Sequence, residues 1–347
     1  MKIDNLQNIN FKILKDFSLD LKYNDDILDV VVLAGINGSG KTTILDFIHQ
    51  RLRENKFELK GRIYFEFNNE IKKSNNIVNN ILLHDKLKIA VNELEKKIIY
   101  IKAKDNNLND LKNSIKQYIK YMIFDKEVSP KETYAKVNQY LKEIFYDMEL
   151  SISFSGLDKY ENIYFKNSFN QKVIIDDLST GEKEILNKLF YFFIENVQDS
   201  LILIDEPEIS LHPTWQSYIF KVYKNLATKF NNQIIIATHS PQLVASTPNE
   251  NLIILTKEDE QIVAKNYNAY GKDINSILVD IMGVGYLRDI DVEKQIEKVK
   301  EMMFKNNFEN NIFKKEFAKL ENMLENDNIE LSLIKFELQR RKDAPSR

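Results

Sequence analysis

Two kinds of apolar pattern alternate along the chain. Val30-Val31-Val32-Leu33 and Leu201-Ile202-Leu203-Ile204 are unbroken apolar runs. Runs of this kind predict strands buried on both faces, as in a parallel sheet. A helical stretch from Pro213 to Phe230 separates the second run from another predicted strand, Gln233 to Ala237. Strand, helix and strand in succession predict an α/β fold with a mostly parallel central sheet. Antiparallel strands are expected beside it. Residues 1–35 read as strands, Gly61 to Phe67 alternates with period two, and residues 148–175 hold three short β-like runs. Thr42 to about Lys56 reads as a helix.

Helical spacing dominates two further regions. Within residues 72–146, Leu108, Leu111, Ile115, Tyr118 and Met122 share one stripe, and Tyr134, Val137, Leu141 and Phe145 another. Ser129-Pro130-Lys131-Glu132 supplies the second helix with a cap serine, a first-turn proline and a glutamate three residues on. The apolar run Ile98 to Ile101 interrupts this otherwise helical insertion. Near the end of the chain, three amphipathic helices are marked by Val292, Ile296, Val299 and Met303, by Phe313, Phe317, Leu320 and Leu324, and by Leu331, Ile334 and Leu338. The last is expected to open with an Asp327-x-x-Glu330 capping box. The expected organisation is a core over 1–71 and 147–286, a helical insertion over 72–146 and a helical extension over 287–347.

Composition narrows the class. With 43% apolar residues in 347, there is material for an ample core. No stretch approaches eighteen consecutive apolar residues, so no membrane span is expected. The opening MKIDNLQNINFKILKDF lacks the apolar segment of a secretory leader, and the absence of cysteine excludes disulfides and thiolate metal sites. A cytoplasmic location is expected on both counts. His49, His84, His212 and His239 are too scattered for a histidine-rich metal cluster. Net charge is −3, but residues 51–145 hold 20 Lys and Arg against 13 Asp and Glu. That excess fits a solvated helical face or a surface tracking a phosphate backbone; the pattern alone leaves both open.

The candidate chemistry starts in AGINGSGKTT, Ala34 to Thr43, which holds three of the nine glycines. Gly35-x-x-x-x-Gly40-Lys41-Thr42 directly follows the first apolar run. This spacing lets a loop wrap an anion with its backbone N–H groups, and the helix opening near Lys41 adds unpaired donors. Gly35, Asn37, Gly38, Ser39, Gly40, Lys41, Thr42 and Thr43 are therefore the nucleotide-binding candidates. Lys41 would reach the β- and γ-phosphates of ATP, and the Thr42 hydroxyl would ligate Mg²⁺. The second apolar run ends in Asp205-Glu206-Pro207, which places Asp205 where it can hold Mg²⁺ and Glu206 where it can orient or deprotonate an attacking water. His239, in Ala237-Thr238-His239-Ser240-Pro241 after the third strand, is the second catalytic candidate, a donor to the γ-phosphate. Leu178-Ser179-Thr180-Gly181-Glu182-Lys183 precedes a helix expected from about Glu182 to Asn196. Such a helix start can meet a γ-phosphate, or it can be an ordinary N-cap.

In their order along the chain, the phosphate loop, LSTGE, IDEPEISLHP and ATHSP resemble prokaryotic ABC-type ATPases of the SMC/RecF-like branch. They look most like the AAA family ATPases of anti-phage defence operons, the Septu PtuA group and the retron-associated group. IDEPEISLHPTWQ, GKDINSILVDIMGV at 271–284 and the closing helices are similar to those groups too, and the resemblance is weakest over 72–146. It implies a P-loop NTPase fold of ABC-ATPase type, ATP and Mg²⁺ as cofactors, and ATP hydrolysis. It implies a homodimer or higher oligomer in which Ser179, Gly181 and Glu182 of one chain complete the site of the other. It implies an effector partner, such as an HNH nuclease, controlled by dimer closure, and no membrane partner. A RecF/SMC-like DNA-repair ATPase that clamps nucleic acid is the alternative. Two departures bear on the hydrolysis rate more than on ATP binding. No glutamine stands at the Q-loop position after Ile98–Ile101, where Lys102 and Lys104 occur, and His212 replaces the D-loop aspartate. Both also fit a transporter ATPase poorly. Asp289-Ile290-Asp291 is similar to the paired acids of a Toprim nuclease, but a helix N-cap is the simpler reading.

Overall fold

The computed structural model describes residues 1–54, 56, 59–67, 70–73, 95–103, 108–146, 148, 152–167, 169–305, 308, 310–325 and 327–343. They form two compact units, Met1–Ile277 and Leu278–Arg347. The strands of the larger unit are β1 (Lys2–Phe11), β2 (Leu14–Asp20), β3 (Lys22–Tyr23), β4 (Asp26–Ile27), β5 (Val30–Ala34), β6 (Lys60–Phe67), β7 (Glu70–Lys73), β8 (Ile98–Ile101), β9 (Ser153–Leu157), β10 (Ile163–Lys166), β11 (Lys172–Ile174), β12 (Leu201–Asp205), β13 (Gln233–Ala237), β14 (Leu252–Glu258) and β15 (Gln261–Asn266). Its helices include α1 (Lys41–Leu52), α2 (Leu108–Lys120), α3 (Pro130–Phe145), α4 (Thr180–Ile194), α5 (Pro213–Gln216), α6 (Ile219–Phe230) and α7 (Pro241–Ser246).

The central sheet has the order β15-β14-β5-β13-β12-β8, with every pairing parallel except that of β15. The fold is α/β, with a mostly parallel sheet. All five residues of β5 and of β13 are buried, as unbroken apolar runs require. Each fully buried Val, Leu or Ile contributes about 1.5–3 kcal/mol. Leu33 pairs with Ala237 and Ala237 with Asp205, so β5, β13 and β12 end level with one another. The residues that follow each strand therefore emerge at one sheet edge, where open α/β sheets bind ligands. Antiparallel sheets β2-β1-β6-β7 and β11-β10-β9 flank this core.

Three details of the larger unit depart from the sequence reading. Ile98–Ile101 pairs in parallel with β12 and is the edge strand of the central sheet, so these residues belong with the core rather than the insertion. Pro213 to Phe230 is two helices: the Tyr218 N–H donates to the Trp215 carbonyl, 3.0 Å away, and this tighter turn breaks the ladder between α5 and α6. Helix α4 starts at Thr180, two residues earlier than expected, because Ser179 is its cap.

Helices α2 and α3 turn their stripes inward. Leu111, Ile115, Val137, Leu141 and Phe145 are buried. Tyr140 stacks on Phe193 at 4.4 Å and donates its hydroxyl to the Leu189 carbonyl, so these helices pack on α4. Residues 74–94 with His84, together with Lys104 and the Leu108 side chain, lie outside the described residues. In the basic segment, Lys112 pairs with Asp176 at 2.5 Å, Lys120 with Glu161 at 2.6 Å and Lys136 with Glu132 at 3.6 Å.

The smaller unit holds α8 (Ile290–Phe304), α9 (Asn311–Met323) and α10 (Ile329–Asp343) around Ile296, Val299, Met303, Phe313, Leu320, Leu331, Ile334 and Leu338. Asp289 caps α8 by accepting the Asp291 and Val292 N–H groups. The start of α10 is capped by Asn328, which accepts from Glu330 and Leu331, and not by Asp327; the expected capping box was one residue early. Leu331 is fully buried in this core. Leu331→Ala is expected to destabilise the protein by about 2–5 kcal/mol in urea unfolding; a loss below ~1 kcal/mol would contradict this packing. Among the described residues, no helix is long and apolar enough to cross a membrane.

Candidate functional site

The loop between β5 and α1 has the backbone its glycines permit. Gly35 has φ +142°, and a Cβ there would sit 2.3 Å from the Leu255 carbonyl oxygen. Gly40 has φ +94° with the Leu14 side chain close by. Helix α1 opens directly after Gly40, with no side chain capping it, so its first amides keep their anion-binding character. Asn37 and Gly38 are exposed at the tip, Ser39 and Lys41 are buried, and Thr43 is half-buried. The Lys41 ammonium donates to the carbonyls of Gly35 (2.8 Å) and Ile36 (2.9 Å).

The ends of β12 and β13 bring three more candidates to this loop. The Thr42 hydroxyl donates to both Asp205 oxygens, at 3.0 and 3.2 Å. Glu206 follows with φ +50°, and its N–H donates to the Ala237 carbonyl at 2.8 Å. That turn points its carboxylate at His239, with Oε1 3.2 Å from Nε2. Burial raises the Asp205 carboxyl above its ordinary value, although the Thr42 hydrogen bond opposes the rise. Burial and the nearby Lys41 charge lower His239 below its ordinary value, against the pull of Asp205, which favours the neutral imidazole.

Burial also brings Lys41 down to about 8, against the pull of Glu206, Asp205 and Glu208. A phosphate anion binds the protonated ammonium. Below pH 8 that form is already present; above it, binding must take up a proton. ATP affinity, read with a fluorescent ATP analogue, should therefore weaken by up to about tenfold per pH unit above pH 8. A flat profile from pH 7 to 9.5 would contradict this.

The metal candidates fit one class of ion. A hydroxyl and a carboxylate are hard oxygen donors, too few to cage an ion alone, and among the described residues no cluster of three or more His, Cys, Asp or Glu suits a metal. Mg²⁺, which keeps waters and takes substrate phosphates, suits such a pair.

The residues expected to form a signature stand apart. Ser179 and Glu182 form a complete capping box: the Ser179 hydroxyl accepts the Glu182 N–H at 3.3 Å, and the Glu182 carboxylate accepts the Ser179 N–H at 2.7 Å. A Cβ on Gly181 would lie 2.9 Å from Trp215 Cζ3, so α5 packs on this helix start. Among the described residues, no hydrogen bond or ion pair joins Ser179 or Glu182 to the phosphate loop. His212 caps α5, its Nδ1 accepting the Thr214 N–H at 3.3 Å. Lys102 lies over the Tyr100 ring at the Q-loop position.

Sequence reasoning did not place Glu208 beside these residues. Its Oε1 accepts the Thr238 hydroxyl at 2.5 Å and the N–H groups of His239 and Ser240 at 3.0 Å each. A glutamate after a strand-end Asp-Glu-Pro reads as a surface acid, and only its pairing with residues 30 positions downstream reveals it.

Residues 64–245 match the family described as "AAA domain, putative AbiEii toxin, Type IV TA system". The chain is 27% identical to the Septu protein PtuA of Bacillus thuringiensis, over 97% of this chain and 96% of that one. It is 30% identical to the retron Vc95 probable ATPase of Vibrio cholerae, over 31% of this chain and 23% of that one. The SMC head domain from Thermotoga maritima superposes with a TM-score of 0.50 at 15% identity, covering 77% of this chain and all of the domain. That likeness gives the fold: a P-loop head of ABC-ATPase type.

Proposed function

The chain belongs to this AAA-domain family, and from that premise we propose that it is an ATP-binding and ATP-hydrolysing subunit that senses or regulates within an anti-phage defence complex, controlling a separate effector such as an HNH nuclease. The observation that carries the ATPase reading is convergence at one sheet edge: Thr42 on Asp205, and Glu206 on His239. The defence reading is supported by the Septu likeness, which spans nearly the whole of both chains. We assign the core to 1–71 and 147–286, now including Ile98–Ile101, the insertion to the rest of 72–146, and the extension to 287–347.

In this reading ATP lies on Gly35–Thr43, and Lys41 exchanges the loop carbonyls for the β- and γ-phosphate oxygens. Thr42 and Asp205 would hold Mg²⁺, whose contribution is to neutralise charge on the phosphoryl oxygens. Glu206 orients a water and takes its proton as the water oxygen bonds to the γ-phosphorus and the bridging P–O bond to ADP breaks. His239 donates to the γ-phosphate. Ser179 and Gly181 of a second chain, with Glu182 fixing that helix start, close the site. The Ser179 oxygen accepts within its own cap, which leaves its hydroxyl hydrogen to donate. Hydrolysis reopens the dimer and changes its grip on the effector.

The test is infection arrest with each neighbouring effector gene deleted in turn. Loss of arrest in one deletion is the expected result; arrest that survives every deletion would sink the effector reading. A DNA clamp of RecF/SMC type is the second reading, motivated by the basic segment. Pairing of Lys112, Lys120 and Lys136 with carboxylates weighs against it.

A further inference from the structure

Glu208 has no role in the scheme above, yet its surroundings are those of a built joint. It is 6% exposed, and burial pushes its carboxyl above the ordinary range. Two loops leave adjacent parallel strands here: residues 206–212 after β12, and 238–240 after β13. The first is wound left-handed at Glu206 (φ +50°) and again at Ser210 (φ +67°), which brings the intervening Glu208 back against the second. There Oε1 gathers the Thr238 hydroxyl and the His239 and Ser240 N–H groups, while the Thr238 oxygen also accepts the Ser240 N–H at 2.9 Å. Its other oxygen, Oε2, is buried with no hydrogen-bond partner. Its charge acts on both Lys41 and Lys188, and the buried Lys188 ammonium donates to the Pro207 carbonyl. The three bonds to Oε1 come from His239 and from the residues on either side of it, and the His239 imidazole meets Glu206 at 3.2 Å.

We propose that Glu208 is a positioning residue for ATP hydrolysis: its carboxylate fixes the backbone at 238–240 and so holds His239 in register with Glu206 and the γ-phosphate. This rests on the reading of the site as a hydrolytic centre. It makes the second glutamate of the Asp-Glu-Pro-Glu stretch part of the catalytic architecture through hydrogen-bond geometry alone.

The experiment compares the full-length protein with Glu208→Ala, Glu208→Gln, His239→Ala, Glu208→Ala/His239→Ala and Glu206→Gln. Steady-state ATP turnover and the affinity for a fluorescent ATP analogue are measured for each. Glu208→Ala should lower kcat about 10- to 100-fold, the scale of a misplaced catalytic group, with affinity within about threefold of the parent. Glu208→Gln keeps an oxygen for all three donors and should retain at least about a third of kcat. In the His239→Ala background, Glu208→Ala should cost nothing further, because its effect runs through His239. If Glu208→Ala does not fold, Thr238→Val removes one of the three donors at constant shape and should lower kcat about 3- to 10-fold. Unchanged kcat in the folded Glu208→Ala or Thr238→Val protein overturns the inference, and so does a full additional loss in the double variant. A folded but inactive Glu208→Gln also overturns it, since charge rather than the hydrogen bonds would then matter. If the parent protein turns over no ATP, the ATPase reading itself fails; if the parent is active and Glu206→Gln is not, that reading stands and only the Glu208 result is in question.

Discussion

Glu206→Gln is expected to lower ATP turnover ~10²–10⁴-fold, the usual loss when a catalytic base is removed, while ATP stays bound in a closed dimer. The backbone of Glu206 is set by its φ of +50° and by its N–H bond to Ala237, neither of which the substitution touches. Glutamine keeps an oxygen that can face His239 but cannot take a proton from water. Lys41, Thr42 and Asp205 are left in place, so binding survives and only the chemical step stops. Three readings report this together: phosphate release, sedimentation with and without Mg-ATP, and tryptophan emission. The chain has a single tryptophan, Trp215, and it packs against Gly181 at the start of α4. Closure of a second chain over that helix start should therefore shift its emission. Turnover at the parent rate would refute the assignment of Glu206.

Lys41→Ala is expected to abolish ATP binding at micromolar ATP. On binding ATP, the ammonium would exchange its bonds to Gly35 and Ile36 for charge-assisted bonds to phosphate oxygens. Hydrogen bonds to charged groups are worth ~1.5–3 kcal/mol each, so losing two weakens binding about 10²–10⁴-fold. Alanine also removes the loop's own cation beside Asp205, Glu206 and Glu208, so those carboxylates then repel the triphosphate more strongly. Thermal unfolding of the variant separates this from collapse of the loop. Affinity within tenfold of the parent, in a folded protein, would contradict the placement of ATP on Gly35–Thr43.

How much of this was legible in the sequence depended on whether backbone or side chain set the requirement. Gly35 and Gly40 are dictated by positive φ and by the close carbonyl of Leu255, so residue type betrays the loop. Asp205 and His239 were placed by the apolar runs before them, which fix where a strand must end. The strand order was not readable, because β5, β12 and β13 are all apolar and any of them could lie at the centre. The short run Ile98–Ile101 sat between helical stripes, and its long-range pairing with β12 outweighed that local context. Caps were read to within a residue: Asp327 and Asn328 are both good cap residues, and the structure uses the second. Glu208 was hidden for a different reason: its partners are its own loop's neighbours in space and not in sequence.

In the proposed function, ATP-driven closure of this protein controls a separate effector. Tagged Glu206→Gln protein, recovered from its native host with Mg-ATP, tests it most directly, with co-eluting proteins identified by mass spectrometry and nucleic acid by absorbance. The account predicts a stoichiometric nuclease or other toxic protein that is retained with ATP and lost with Lys41→Ala. A closed dimer carrying DNA and no protein partner would contradict it and favour the clamp.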